Sequence, residues 1–186
     1  MVSISTPTQR PRLRRIWPGH SLRLLICERW ALTAMTQIVI EPSTMARDGF
    51  ACGQIFEDIY ATTDFAKGRP PLIFDWPAYK TLEDAYRTRL FVARHEGRVV
   101  GFVLYLVSQH LHHADNLFAH CDMLGVHPDT RGSGIGRRLV EYALTFLRRQ
   151  GVTHVIHMHR SMYEQTTPLF AKLGFEPVEI AYMKAL

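Results

Sequence analysis

The chain has 186 residues, 47% hydrophobic and 21% charged, the balance of an ordinary globular protein with room for one domain and its core. No apolar run approaches the ~20 residues of a membrane span. Three scattered cysteines (Cys27, Cys52, Cys121) with no CxxC pair argue against a disulfide framework or a thiolate zinc site and for a reducing, cytoplasmic setting. The net charge of +5 is local: residues 1–34 carry Arg10, Arg12, Arg14, Arg15, Arg23 and Arg29 against Glu28, and beyond them basic and acidic side chains are equal in number.

The basic arm has several readings. A nucleic-acid or membrane-surface tail needs such charge. An export signal needs an uninterrupted apolar run, and Arg23, Glu28 and Arg29 break the one present. The composition favours a disordered extension (1–34) ahead of a domain (35–186) whose natural beginning is "MTQIVIEP".

From there the elements follow in order. "TQIVIEP" (36–42) alternates and is β-branched, so it predicts a strand. Residues 43–63 open with a Ser/Thr cap and space Phe50, Ile55, Ile59 and Tyr60 as on a helix. "GRPPLIFDWPAYK" reads as a loop, "TLEDAYRT" as a short helix. "RLFVARHEGRVVGFVLYLVS" is two strands turning at "HEGR", with the glycine at positive φ, and "LFAHCDMLGV" is a third after a turn at "HLHHADN". Ile135, Leu139, Ala143 and Leu147 form the stripe of an amphipathic helix that ends at Arg148, Arg149 and Gly151. "VTHVIHMH" predicts a strand, "TTPLFAKLGF" a helix with Pro168 in its first turn, and "PVEIAYMKAL" a last strand.

Between the third strand and the amphipathic helix stands "GVHPDTRGSGIGRRLV" (125–140). Unpaired N–H groups and the helix dipole make such a helix start an anion site, and Arg131, Arg137 and Arg138 point to a phosphate or pyrophosphate. A P-loop would end in Gly-Lys-Ser/Thr, whereas Gly136 is followed by Arg137. A dinucleotide fingerprint would open a βαβ unit with GxGxxG spacing, which Gly132, Gly134 and Gly136 do not have. Coenzyme A remains: its Arg/Gln-x-x-Gly-x-Gly/Ala pattern is matched by Arg131, Gly134 and Gly136.

With this loop, the strand meander before it and the "PLFAKLGF" helix end, residues 36–186 resemble the GNAT superfamily of acyl-CoA-dependent N-acyltransferases. The resemblance implies an α/β (α+β type) fold with a mixed, mostly antiparallel twisted sheet and helices on both faces. It implies acetyl-CoA as co-substrate, with the backbone of Leu124 and Val126 pairing with the pantetheine arm. Arg131, Gly132, Ser133, Gly134, Ile135, Gly136 and Arg137 would cradle the pyrophosphate. The acyl group would pass directly to an amine on a small molecule or protein, and a homodimer is compatible with this reading.

An amine of pKa ~10.4 is almost wholly protonated near neutrality, so attack on a thioester calls for a base. Two-residue alternation puts His120, Asp122, Leu124 and Val126 on one face of the strand before the loop. His120 stands where many members carry a glutamate base. Asp122, with His112 in the preceding turn, resembles the pattern of phage and prophage members. The alternative is that both are structural. Where the family has a thiolate-protonating tyrosine this chain has Phe170, which leaves Tyr163, the nearest tyrosine in sequence, or solvent to supply that proton. The same departure suits a catalytically weak or inactive acyl-CoA-binding regulator. His110, His112 and His113, and His157 with His159, lack HExxH or Cys/His spacing, so cleft lining or solvated turns are favoured over a metal. The neutral body lacks a nucleic-acid reader motif.

Overall fold

The computed structural model describes residues 38–62, 71–158, 167–179 and 184. The basic arm, Tyr163, His159 and most of the strand expected over 177–186 lie outside the described residues.

Period-2 patterning builds the sheet. Strands β1 (Val39–Ser43), β2 (Thr88–His95), β3 (Arg98–His110), β4 (His113–Val126) and β5 (His154–His157) lie side by side in sequence order. The pairs are antiparallel except the last, β4 with β5, which is parallel. Glu96 and Gly97 both take positive φ at the β2–β3 turn, as a two-residue hairpin that follows the strand twist requires. β3 and β4 run further toward each other than the sequence suggests, leaving a two-residue turn at Leu111 and His112.

Helices cover both faces because alternate strand residues point opposite ways. Phe91, Val103, Tyr105, Ala119 and Cys121 pack against helix α3 (Ile135–Arg149), whose Ile135, Leu139, Ala143 and Leu147 are all buried. Leu90, Val92, Phe102, Leu104 and Met123 face helix α1 (Met45–Thr62) through Met45, Cys52 and Ile55. Helix α2 (Trp76–Asp84) starts inside the stretch read as loop. Asp75 caps it by accepting from the Ala78 N–H, and Pro77 occupies its first turn, a start signal present in "DWP". Helix α4 (Thr167–Lys172) ends at Gly174, φ +79°.

Arg94 ties β2 to Glu41 of β1 and Asp48 of α1, and Arg47 joins the same two carboxylates. Burial acts to raise the Asp48 pKa, but hydrogen bonds from Arg94, Ser43 and Arg47 outweigh it and hold the carboxyl below its ordinary value. Burial pushes the Cys52 and Cys121 thiols up to about 12, so neither offers a thiolate near neutral pH. Among the described residues no helix is long and apolar enough to cross a membrane, and no group of three His, Cys, Asp or Glu is placed to hold a metal ion.

Candidate active site

The site begins where two strands part. β4 pairs with β5 only from Phe118–His154 to Cys121–His157; β5 ends there, and β4 continues to Val126 against β3 alone. From Asp122 to Val126, therefore, one edge of β4 has no partner strand among the described residues. A free strand edge is a template for an extended chain.

At the end of that edge lies the glycine loop. A short 3-10 turn (Pro128–Thr130) leads to Gly132 and Gly134, both left-handed at φ +76° and +80°. Gly134 caps α3 without a side chain, and the first bond of the helix runs from the Arg138 N–H to the Gly134 carbonyl at 3.1 Å. The N–H groups from Gly134 to Arg137 consequently lack acceptors within the helix. A Cβ at Gly132 or Gly134 would meet nothing within 4 Å, so the loop is open and its glycines answer to backbone conformation. Gly136 differs. It is helical, and a Cβ there would make ordinary contact with Val126 at 3.6 Å.

The loop is braced from within. Arg131 Nε donates to the Val126 carbonyl (3.2 Å), Thr130 Oγ1 to the His127 carbonyl (3.0 Å), and Ser133 Oγ to the Thr130 carbonyl. Arg137 pairs with Glu141 (2.8 Å), and Arg138 donates to the Ile38 carbonyl (3.0 Å). A free strand edge leading to an open, cationic helix start fits a ligand with an extended polar arm and a diphosphate.

The catalytic candidates are separated from that arm by a bulge. Leu104 pairs with Met123 and Tyr105 with Cys121, leaving Asp122 as an extra residue in β4. The four residues expected on one face are therefore divided. Leu124 and Val126 pack on the α3 side, whereas Asp122 meets α2 on the other side, where Tyr79 Oη donates to its Oδ2 at 2.6 Å. Alternation fails here because a bulge inserts one residue and resets the faces. His120 precedes the bulge, beside Ile156 of β5, with its ring 6.3 Å from Phe118. Asp122 and His120 thus stand at the point where β4 loses its second partner.

Asp122 opens into a cavity of about 510 Å³ whose lining includes Phe56, Phe74, Tyr79, Leu106 and Met123. Burial, with the hydrogen bond to Asp122, raises the Tyr79 pKa far above its ordinary value, so this phenol stays protonated and donates. A second cavity of similar size, about 520 Å³, lies between α3 and Ile40, away from the strand divergence.

On the α3 side, Tyr105 Oη lies 2.7 Å from His157 Nε2. Burial pushes the His157 pKa down to about 4, which keeps the ring neutral. Phe170 packs on that ring at 4.9 Å and Phe175 at 5.0 Å. His110, His112 and His113 gather at the β3–β4 turn, where His110 packs on Phe118 and Phe118 stacks on His154. The Tyr79–Asp122 and Tyr105–His157 bonds have no local signal, since their partners are 43 and 52 positions apart.

The acetyltransferase (GNAT) family model matches residues 53–175. The mycothiol acetyltransferase of Saccharomonospora viridis is 28% identical over 194 aligned positions, covering 89% of this chain and 62% of the relative. That of Thermobispora bispora is 30% identical over 115, covering 56% and 39%. The chain thus spans less than two thirds of these curated relatives. A solved aminoglycoside acetyltransferase from an uncultured soil metagenomic sample, in complex with sisomicin, superposes with TM-score 0.66 at 18% identity, covering 81% of this chain and 97% of that one. The ribosomal-protein-alanine N-acetyltransferase of Brucella melitensis gives 0.60 at 19%, covering 80% and 99%. These two likenesses establish a shared fold.

Proposed function

The chain belongs to the acetyltransferase (GNAT) family, and on that premise we propose that it transfers the acetyl group of acetyl-CoA directly to an amine. GNAT acetyltransferases use acetyl-CoA as the acetyl donor. The observation that carries the reading is the divergence of β4 from β5 beside the glycine-capped start of α3. Leu124 and Val126 would offer backbone groups to the pantetheine arm, and the N–H groups of the 131–137 loop would hold the pyrophosphate. Bound there, acetyl-CoA supplies an activated acyl carbon and a thiolate leaving group.

The chain's own residues handle the amine and its proton. The amine nitrogen forms the new C–N bond as the C–S bond breaks; an acceptor arriving as ammonium gives up two protons, one before it attacks and one as the amide forms, and the thiolate takes one while the other leaves to solvent. Asp122, held by Tyr79, attracts the incoming ammonium. His120, two residues back, takes a proton directly or through water, as an imidazole nitrogen with a free lone pair can. Phe170 cannot donate a proton, which leaves the thiolate to Tyr163 or solvent.

The relatives' names, mycothiol acetyltransferase and aminoglycoside acetyltransferase, make a small-molecule amine the first acceptor to test. The phage- and prophage-type affinity rests on Asp122 and His112 alone. We place the protein in the cytoplasm on its three scattered cysteines without a CxxC pair, with 1–34 as an extension of a 35–186 domain. The test combines calorimetry with acetyl-CoA and thiol release over an amine panel. His120→Ala should cost about 10²-fold or more in turnover, the scale of a lost general base, with little change in acetyl-CoA affinity. Near-normal turnover in that variant would make His120 structural and leave Asp122 or water as base.

A further inference from the structure

The cavity beside Asp122 has a composition that selects among amines. Its walls include Phe56, Tyr60, Phe74 and Tyr79, and Leu106 and Met123 line it with them. The aromatic side is an assembled shelf. Phe74 stacks on Trp76 (4.7 Å between centroids, 23° between planes) and meets Phe56 edge-on at 6.3 Å. Trp76 in turn lies against α1 at Gly53, where a Cβ would come within 2.8 Å of the indole ring. Gly53 is what lets the indole, and Phe74 with it, lie this close to the helix.

Charge is sparse among the described residues of the cavity. Of those lining it, only Asp122 and Asp75 are charged, and no described cation is among them. Asp75 is engaged as the cap of α2. Asp122 is exposed, and its carboxylate is fixed by the Tyr79 hydroxyl at 2.6 Å. One oriented carboxylate opposite a stacked aromatic wall matches a ligand with one ammonium group and a flat apolar body. A polycation would place its further charges against Phe56, Phe74 and Leu106, where desolvation is uncompensated.

We infer that the acceptor is a monoamine carried on an aromatic or flat apolar body, bound through its ammonium to Asp122 and stacked on the Phe74 wall. This rests on the acetyltransferase reading and narrows its substrate class. Tyr79 acts as a positioning residue: it touches the carboxylate and sets the direction in which the ammonium approaches.

The test separates the cavity from the chemistry. The full chain, saturated with coenzyme A so that no reaction occurs, is titrated calorimetrically with phenethylamine, its uncharged analogue 2-phenylethanol, and spermidine. Phenethylamine should bind saturably, and each of the others at least about tenfold more weakly, the scale of one lost charge-assisted bond. Phe74→Leu should weaken phenethylamine by about three- to tenfold, the worth of an aromatic pair. Tyr79→Phe should raise the amine KM far more than it changes kcat, and melting curves show that both variants fold. Equal or tighter binding of spermidine, equal binding of 2-phenylethanol, or no saturable binding of phenethylamine would overturn the inference. In each of those cases, coenzyme A binding together with thiol release on some other amine leaves the acetyltransferase reading standing. Failure to bind coenzyme A removes the reading and the inference with it.

Discussion

His157 sits at the last rung of the β4–β5 ladder, with its Nε2 on the Tyr105 hydroxyl and the Phe170 and Phe175 rings packed against it. Its native pKa, pushed down by burial to about 4 from an ordinary 6.5, couples this residue to stability. Below pH 6.5 the unfolded chain takes up a proton that the folded ring refuses, so unfolding gains as pH falls from 6.5 toward 4. Above 6.5 both states are neutral and the penalty is absent. His157→Gln, which keeps a hydrogen-bonding partner for Tyr105 but cannot titrate, should show a flatter fall in stability over that window. Urea unfolding of both proteins between pH 4 and 8 measures the difference, and parallel curves would show that His157 is protonated as readily in the fold as in the unfolded chain. Asp122 depends on its surroundings in a similar way: as a bulge residue it reaches Tyr79, and in an unbroken ladder the residues beyond it would switch sides.

Helix α3 combines a buried packing face with an open first turn. Its stripe of Ile135, Leu139, Val140, Ala143 and Leu147 is buried against the sheet, and its first turn leaves N–H groups turned toward the loop. Gly134→Val would put a β-branched residue at φ +80°, a left-handed conformation that costs an L-residue about 1–2 kcal/mol. The chain should still fold, with a lower melting temperature, and should lose measurable acetyl-CoA affinity because the added branches project into the open loop. Gly136→Ala, by contrast, makes an ordinary contact with Val126 and should melt at or slightly above the wild-type temperature, since alanine favours a helix over glycine. Calorimetry and thermal melts on the two variants check both outcomes. Wild-type affinity in folded Gly134→Val would remove the loop from the cofactor site.

At the scale of the whole molecule, the charge divides the chain. The arginine-rich residues 1–34 carry the net charge, and the remainder is balanced. A protein beginning at Met35 should therefore keep the melting temperature and acetyl-CoA affinity of the full chain. A large fall in either would place the arm within the domain.

The elements that proved legible in the sequence were those written in local pattern. The stripe from Ile135 to Leu147, the glycine pair that opens the helix, and the alternation of β2 and β3 are each set by residues a few positions apart. Their physics, side-chain period and permitted φ, acts over that same range. Helix α2 was only half legible: the prolines around Asp75 and Pro77 made residues 76–80 read as loop, and the helix expected over 81–88 ends at Asp84, with Thr88 already in β2. The surroundings of Asp122 were written nowhere locally. The bulge that parts Asp122 from the face of Leu124 and Val126, the Tyr79 hydroxyl that fixes it, the Gly53–Trp76 contact under the aromatic wall and the end of β4–β5 pairing at His157 among the described residues all join residues distant in sequence. Thus the sequence alone determined most of the secondary elements and the glycine loop that opens α3, because backbone conformation is a local property. Only the tertiary structure decided which side chains share the cleft, because that depends on strand register and on which helix closes over which face.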